Sequence, residues 1–515
     1  MTGKAALATT VFGIAMVVTV VLGVLSSRGR RRTLAEWSVS GRSLGVVFVW
    51  LLMAGESYTS FSFLGTAGWT YQFGVPILYL VAYLGAGYAI SYLVGPAIWT
   101  YAARHELISI ADMAEHRFRS RAVGVSVAVV GAVFLVPYIQ VQIQGMGAVV
   151  SAMTYGSVDL KVSAVVSFVV AEIFILVSGL RGTAWVSVLK DVLVIFSVVF
   201  LAVYVPVHFF GGIGALTDRL VSQKSEWLTF PGHTSAGHGA AWFISTVLLN
   251  GVTIAVFPTT VTGNFSARNP NTLRRNAILL PWYQLLLFIP MMIGAAALFV
   301  LPQLGNPDLA LFALVTKALP APVVAVIGVA GALSAIVPMS LFMLAIGNLC
   351  GRTLLGGGNG ADPRSARARG LGRASDDGGQ TSDDRGRASD DRVKRLSQLV
   401  CLLAGVIALA GALWKPETLV QLSVLSYEGI AQLLPPVLLA LFWRRMTASA
   451  AIAGLAVGTG VMIGLYTSGN DPFHGVNGGI IALAANLLVV AAVTYATGGR
   501  RTARNASPAV ELKQP

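Results

Sequence analysis

LLMAGESYTSFSFL, Leu51 to Leu64, is a stretch in which an apolar run turns polar and then resumes. The chain is apolar from Leu44 to Ala54, is interrupted by Gly55-Glu56-Ser57-Tyr58-Thr59-Ser60, and continues from Phe61. Glu56 lies about eleven residues into the run, near the midplane of a bilayer at ~1.5 Å of rise per residue. A carboxylate at that depth costs several kcal/mol unless it is protonated, paired or facing a cavity. Gly55 and the neighbouring hydroxyls can satisfy backbone groups that leave the helical ladder. A broken helix with an acid at mid-membrane is how a transporter builds an ion or substrate site.

The surrounding composition agrees. Of 515 residues, 55% are hydrophobic and 11% charged, with mean hydropathy +0.73, against about 25% charge in a soluble chain. The fold class is therefore an all-α polytopic membrane protein. The net charge of +14 sits between the apolar blocks without interleaved aromatics, so it reads as loop charge under the positive-inside rule and not as a nucleic-acid surface. Cys350 and Cys401 form no CxxC motif. The six histidines lack metal-ligand spacing, so no metal and no cofactor is expected. The first block, Ala5 to Leu25, is followed by Arg28–Arg32 and not by a small-residue cleavage site, so it reads as a retained span.

Thirteen spans are expected, including separate ones over 159–180 and 184–209. Basic residues cluster in alternate connections, at Arg28–Arg32, Arg104–Arg121, Arg181, Arg268–Arg275, Arg352–Arg395, Arg444–Arg445 and Arg500–Arg504. That alternation puts the N-terminus outside and the C-terminus in the cytoplasm. A first span and basic loop (1–43) lead into a first repeat (44–210) and an extracytoplasmic loop (211–238). A second repeat (239–443), two peripheral helices (444–498) and a tail (499–515) follow. The second repeat is interrupted at 351–394, where mixed charge and repeated Ser-Asp-Asp at 375, 382 and 389 predict a disordered linker. Ser375 and Ser389 in it are conceivable phosphorylation sites. Asn250-Gly251-Val-Thr253 and Phe257-Pro258-Thr259-Thr260 break another apolar run. Two units that each open on an interrupted helix are the pattern of an inverted-repeat secondary transporter.

Several motifs occur together. They include Ser40-Gly41-Arg42-Ser43-Leu44-Gly45, Ile108-Ser-Ile-Ala-Asp112 with Arg117-Phe118, Gly145, and Gly179-Leu180-Arg181-Gly182-Thr-Ala-Trp185. On these the chain resembles the sodium:solute symporter family over roughly residues 5 to 465. Gly55-Glu56-Ser57-Tyr58-Thr59, Pro137-Tyr138-Ile139 with Gln142 and Gly145-Met146, Val188-Leu189-Lys190-Asp191, and Arg274-Arg275-Asn276-Ala277 through Pro281 resemble its bacterial monocarboxylate permease branch. The resemblance implies a LeuT-like 5+5 core with one helix before it and two after. It also implies uptake of a small solute driven by a cation gradient. Val337 and Pro338, after Ser334, stand where sodium-coupled members carry paired hydroxyls, and neither side chain ligates a hard cation. Pro338 frees an upstream carbonyl, so sodium stays open. Ser187 stands where the family has an acid, with Asp191 one turn on, on the same helix face.

Other candidates carry two readings each. Glu56 reads as a proton- or cation-binding group, or as a structural carboxylate paired with Lys190 or a helix end. Ser57, Thr59 and Ser60 read as solute contacts or as backbone partners. Tyr138 and Gln142, at i and i+4, face a cavity or bond a neighbouring helix. Phe257 and Thr260 line the second break or mark a proline kink. Glu428 reads as a second proton site or an outer-gate pair. Lys190 points about 100° from Asp191 around the helix, a direction in which it could pair with another acid. The expected function is uptake, across the cell membrane, of a short-chain monocarboxylate with a proton or sodium ion as coupling cation. The alternative is a sodium-coupled carrier of an amino acid or other polar metabolite. A transporter-shaped sensor and an intramembrane enzyme find no appended domain or catalytic motif in the chain.

Overall fold

The computed structural model describes residues 3–26, 39–233, 238–351, 353, 381–414 and 417–497. The described residues are almost entirely helical. In chain order the main helices are α1 (Gly3–Ser26), α2 (Val46–Ser57), α3 (Phe61–Gln72), α4 (Tyr79–Arg104), α5 (Ile110–Phe118) and α6 (Arg121–Met153). Next come α7 (Leu160–Phe210), α8 (Ile213–Gln223), α9 (Ala240–Thr253), α10 (Pro258–Phe265), α11 (Pro270–Gln284) and α12 (Phe288–Val300). Last are α13 (Ala310–Ala318), α14 (Ala321–Cys350), α15 (Thr381–Trp414), α16 (Leu419–Ala431), α17 (Ala448–Thr467) and α18 (Gly478–Ala496).

Among the described residues, eleven segments are long and apolar enough to cross a membrane, and α2 with α3, bent by 54°, makes a twelfth. The expected spans 159–180 and 184–209 both lie in α7, whose 51 residues extend about 75 Å at ~1.5 Å per residue, more than twice the thickness of a bilayer core; its part Gly182–Phe210 is one of the eleven. Arg181-Gly182-Thr183 reads as a loop by charge, but nothing there forbids helical backbone, and the only proline of the segment is Pro206. The side chain of Arg181 lies outside the described residues. A second correction concerns the linker. Residues 354–380 lie outside the described residues, while α15 begins at Thr381, inside the stretch read as disordered. There Asp383 precedes Arg387, Asp390 precedes Lys394 and Asp391 precedes Arg395 by four residues, an order that supports a helix.

α14 is the buried axis of the molecule, with every residue from Gly328 to Cys350 enclosed. Its Ala, Gly and Ser content lets α6 and α7 approach closely, which is how helices associate where lipid removes the hydrophobic drive. Apolar side chains of α1 and α7, such as Val17, Phe196 and Val203, face outward. The two broken spans are tied at their ends on the face that carries Arg104 and Arg121. Leu44 N–H donates to Ser266 O at 3.0 Å and Arg268 N–H to Leu44 O at 2.9 Å. Arg42 donates to Leu107 O at 2.5 Å.

On the opposite face Asp308 holds the start of α16, accepting the Leu419 N–H at Oδ2 (3.2 Å). Burial pushes this carboxyl up to about 6, against the opposing pull of that hydrogen bond. The folded state therefore binds the proton more tightly than the unfolded chain does. The stabilisation is complete below about pH 4 and is lost as pH rises through about 6, an effect on the order of 2–3 kcal/mol. Asp308→Asn keeps an acceptor for Leu419 without the titration. Thermal unfolding of this variant is expected to lose the wild type's decline between pH 4 and pH 6.

Candidate substrate and ion site

Side chains meet several backbone groups of the first break. α2 ends as Tyr58 turns out of helical geometry (φ −98°, ψ 79°). The Ser57 carbonyl receives Ser62 Oγ at 2.7 Å, and the Ser60 and Phe61 N–H groups donate to Gln142 Oε1 (3.3 Å) and Thr59 Oγ1 (3.1 Å). The carbonyls of Gly55 and Tyr58 both receive Lys190 Nζ, at 3.0 and 3.1 Å. Lys190 is fully buried and also pairs with Asp191 Oδ1 at 3.1 Å. The reading of Lys190 as a partner for another acid is corrected here. Its four-carbon stem swings the ammonium back beside the neighbouring residue, so the direction of its Cβ does not give the direction of its charge. Tyr283 on α11 donates to the same Asp191 oxygen at 3.1 Å.

At the second break Phe257 is extended and Pro258 opens α10. A helix start presents unpaired N–H groups and favours an anion. Here the Glu56 carboxylate comes to it, accepting the Thr259 hydroxyl and the Thr260 hydroxyl (2.9 Å) at one oxygen, Oε1. Each break thus holds a charged side chain of this protein: an ammonium at the carbonyl end of α2 and a carboxyl at the start of α10.

Between them lies a cavity of about 30 Å³. Glu56, Ser57, Tyr83, Tyr88, Tyr138, Phe257, Thr260, Phe342 and Tyr427 line it with Met53, Leu84 and Ile254, and no Lys or Arg does. Ser57 Oγ and Tyr88 Oη are 2.6 Å apart, and Gln284 Nε2 donates to Tyr88 Oη at 3.1 Å. The Tyr138 hydroxyl meets Thr59 and Ser423. Its ring packs edge-on to Phe342 at 4.6 Å.

The candidate residues therefore divide. Glu56, Ser57, Tyr138, Phe257 and Thr260 come together at the cavity. Gly55, Tyr58 and Asp191 hold the Lys190 ammonium, and Ser187 lies beside Gly55; a Cβ on Gly55 would sit 3.1 Å from Ser187 Oγ and 3.4 Å from Val337. Thr59 and Gln142 serve the backbone of the break. Ser334 bonds its own helix at Ala330 O (2.9 Å) and does not line the cavity. Glu428 is also elsewhere. It packs against Gly479 and meets Asp471 and Asn477, because one residue turns it about 100° away from Tyr427. Tyr83, Tyr88 and Phe342 were not singled out from sequence. Tyr79 and Tyr83, at i and i+4 in an apolar helix, were the available signal.

A helical membrane protein with paired helix breaks around a polar midplane cavity is a secondary transporter by architecture. The chain matches the sodium:solute symporter family over residues 37–345 and 382–458 and belongs to that family. It is 33% identical over 509 residues to the uncharacterized symporter YhjB of Bacillus subtilis (strain 168), covering 96% of this chain and 97% of that one. It is 28% identical over 291 residues to a monocarboxylate transport permease protein of Rhizobium johnstonii, covering 55% and 58%. A substrate-bound, outward-open structure of a Na+-coupled sialic acid symporter superposes with TM-score 0.73 at 15% identity, over 95% of this chain and 97% of that chain. MHP1, a nucleobase-cation-symport-1 family transporter, gives 0.53 at 14% identity, over 90% and 95%. The fold is LeuT-like, and the protein is a multi-pass membrane symporter and not an enzyme.

Proposed function

We propose that this symporter takes a short-chain monocarboxylate, such as pyruvate, lactate or acetate, into the cell across the cytoplasmic membrane, driven by a cation gradient. In this orientation the N-terminus is outside and the face carrying Arg104 and Arg121 is cytoplasmic. The observation that carries the reading is the cavity at Glu56. A volume of about 30 Å³ holds two or three water-sized groups at about 10–15 Å³ each, so this state of the site favours the smallest solutes and widens to admit pyruvate or lactate. The donors facing it are hydroxyls of Ser57, Tyr88, Tyr138 and Tyr427. With no basic side chain there, an anionic solute beside an ionised Glu56 is repelled, whereas a protonated Glu56 donates to it. Binding of the anion thus draws a proton onto Glu56, and uptake and cation entry are linked through differential affinity. The similarity to the Rhizobium permease supports the same solute class.

The test is uptake of labelled pyruvate, lactate and acetate into proteoliposomes under an imposed proton gradient, with alanine as the polar competitor. Accumulation of the monocarboxylates, with little displacement by alanine, is expected. Accumulation of alanine alone overturns the solute assignment and returns the amino-acid alternative.

A further inference from the structure

We propose that the Lys190 ammonium is a tethered occupant of the cation seat at the first helix break, and that this carrier therefore binds and requires no sodium there. The inference rests on the symporter reading but not on the identity of the solute.

Three oxygens converge on one point inside the membrane: Gly55 O at 3.0 Å, Tyr58 O at 3.1 Å and Asp191 Oδ1 at 3.1 Å from Nζ. Carbonyls released by an unwound helix, joined by a carboxylate, are the ligand set of a hard monovalent cation. Here the point is already filled by a positive charge on a covalent arm, fully enclosed from solvent. A free cation entering the same oxygens meets both the lost space and like-charge repulsion in a low dielectric. Of the walls, Val337 lies against Gly55 and offers sodium no oxygen, while the Ser187 hydroxyl donates to Thr183 O at 2.9 Å. The other groups that face the ammonium's partner are Tyr283, bonded to Asp191, and Tyr58, whose ring lies 5.9 Å from that of Tyr283.

The tethered charge also has a positional consequence. It ties the end of α2, at Gly55 and Tyr58, to α7, so the hinge of the first broken span is held by the protein itself and not by an ion taken from the medium. Such a carrier is left with the proton as its coupling ion.

The test uses purified full-length protein. Thermal unfolding in sodium, methylammonium and choline chloride at equal ionic strength reads the seat without reference to any solute. Wild type is expected to unfold at the same temperature in all three, and its proton-driven uptake to be unchanged when sodium is removed. Lys190→Ala empties the seat. It is expected to lose stability in choline and to regain several degrees in sodium or methylammonium, which bind the folded state alone. Lys190→Met fills the space without charge and is expected to respond to neither ion. Sodium-dependent unfolding or uptake in wild type overturns the proposal, and this arm holds even if the variants fail to fold. A folded Lys190→Ala protein that ignores every cation also overturns it. Loss of monocarboxylate uptake alongside the expected unfolding pattern would refute only the solute assignment.

Discussion

Glu56→Gln is expected to abolish uphill, proton-driven accumulation of the solute, by about 100-fold or more, while leaving exchange of labelled for unlabelled solute across the membrane largely intact. The amide keeps the size of the side chain and an acceptor for Thr259 and Thr260, which bond Glu56 Oε1. It also retains a donor toward the cavity, so it imitates the protonated acid. It cannot release the proton on the inside, and the carrier then returns only when loaded. A charged hydrogen bond in a buried site is worth about 1.5–3 kcal/mol, or roughly 10- to 100-fold in affinity. The sign with pH follows: in wild type a proton binds with the anion, so apparent affinity falls as pH rises. In Glu56→Gln it is flat. Solute affinity measured at several pH values separates the two, and a variant that still accumulates solute with wild-type pH dependence removes Glu56 from the coupling step.

Much of this site was legible because polar residues in lipid are expensive and so are placed for a reason. The Gly55–Ser60 interruption located the first break, and Pro258, which lacks an N–H and sets its own φ, located the second. What remained hidden is angular. In a buried helix with polar residues on more than one side, periodicity gives no single face, so Glu428 was singled out although the structure sends its neighbour Tyr427 to the cavity. The Lys190 partner was missed for a similar reason, because a long flexible arm does not point where its backbone does. Gln284 in α11 carried no motif, yet it reaches Tyr88 at the cavity. The continuity of α7 was obscured by charge, since Arg181 marks a loop by the positive-inside rule while local backbone propensity permits a helix. Topology rules count charges, whereas the helix depends on which backbone groups find partners.

Gly145→Ala is expected to destabilise the protein by about 1–3 kcal/mol and to lower transport, and Ser60→Gly in the same chain is expected to restore most of both. α6 passes so close to the first break that a Cβ on Gly145 would lie 2.3 Å from Ser60 Cβ and 2.6 Å from Ser60 Oγ. Real side chains do not approach so closely, and the Ser60 backbone cannot retreat freely because its N–H is held by Gln142, one turn along the same α6. Overpacking of a filled interior costs about 1–3 kcal/mol. The added methyl would be accommodated by parting α6 from the break, which loosens the Gln142 bond and moves Tyr138, three residues before Val141 on that helix, away from Thr59 and the cavity. Ser60→Gly removes the opposing Cβ and leaves the N–H in place, so the double variant relieves the clash without losing the cap. Unfolding temperature and uptake measured over the four proteins of this cycle give the interaction directly. Strong coupling in both readouts identifies the Gly145–Ser60 contact as the support that aligns the break with its cavity. Additive effects would mean that the two positions act separately.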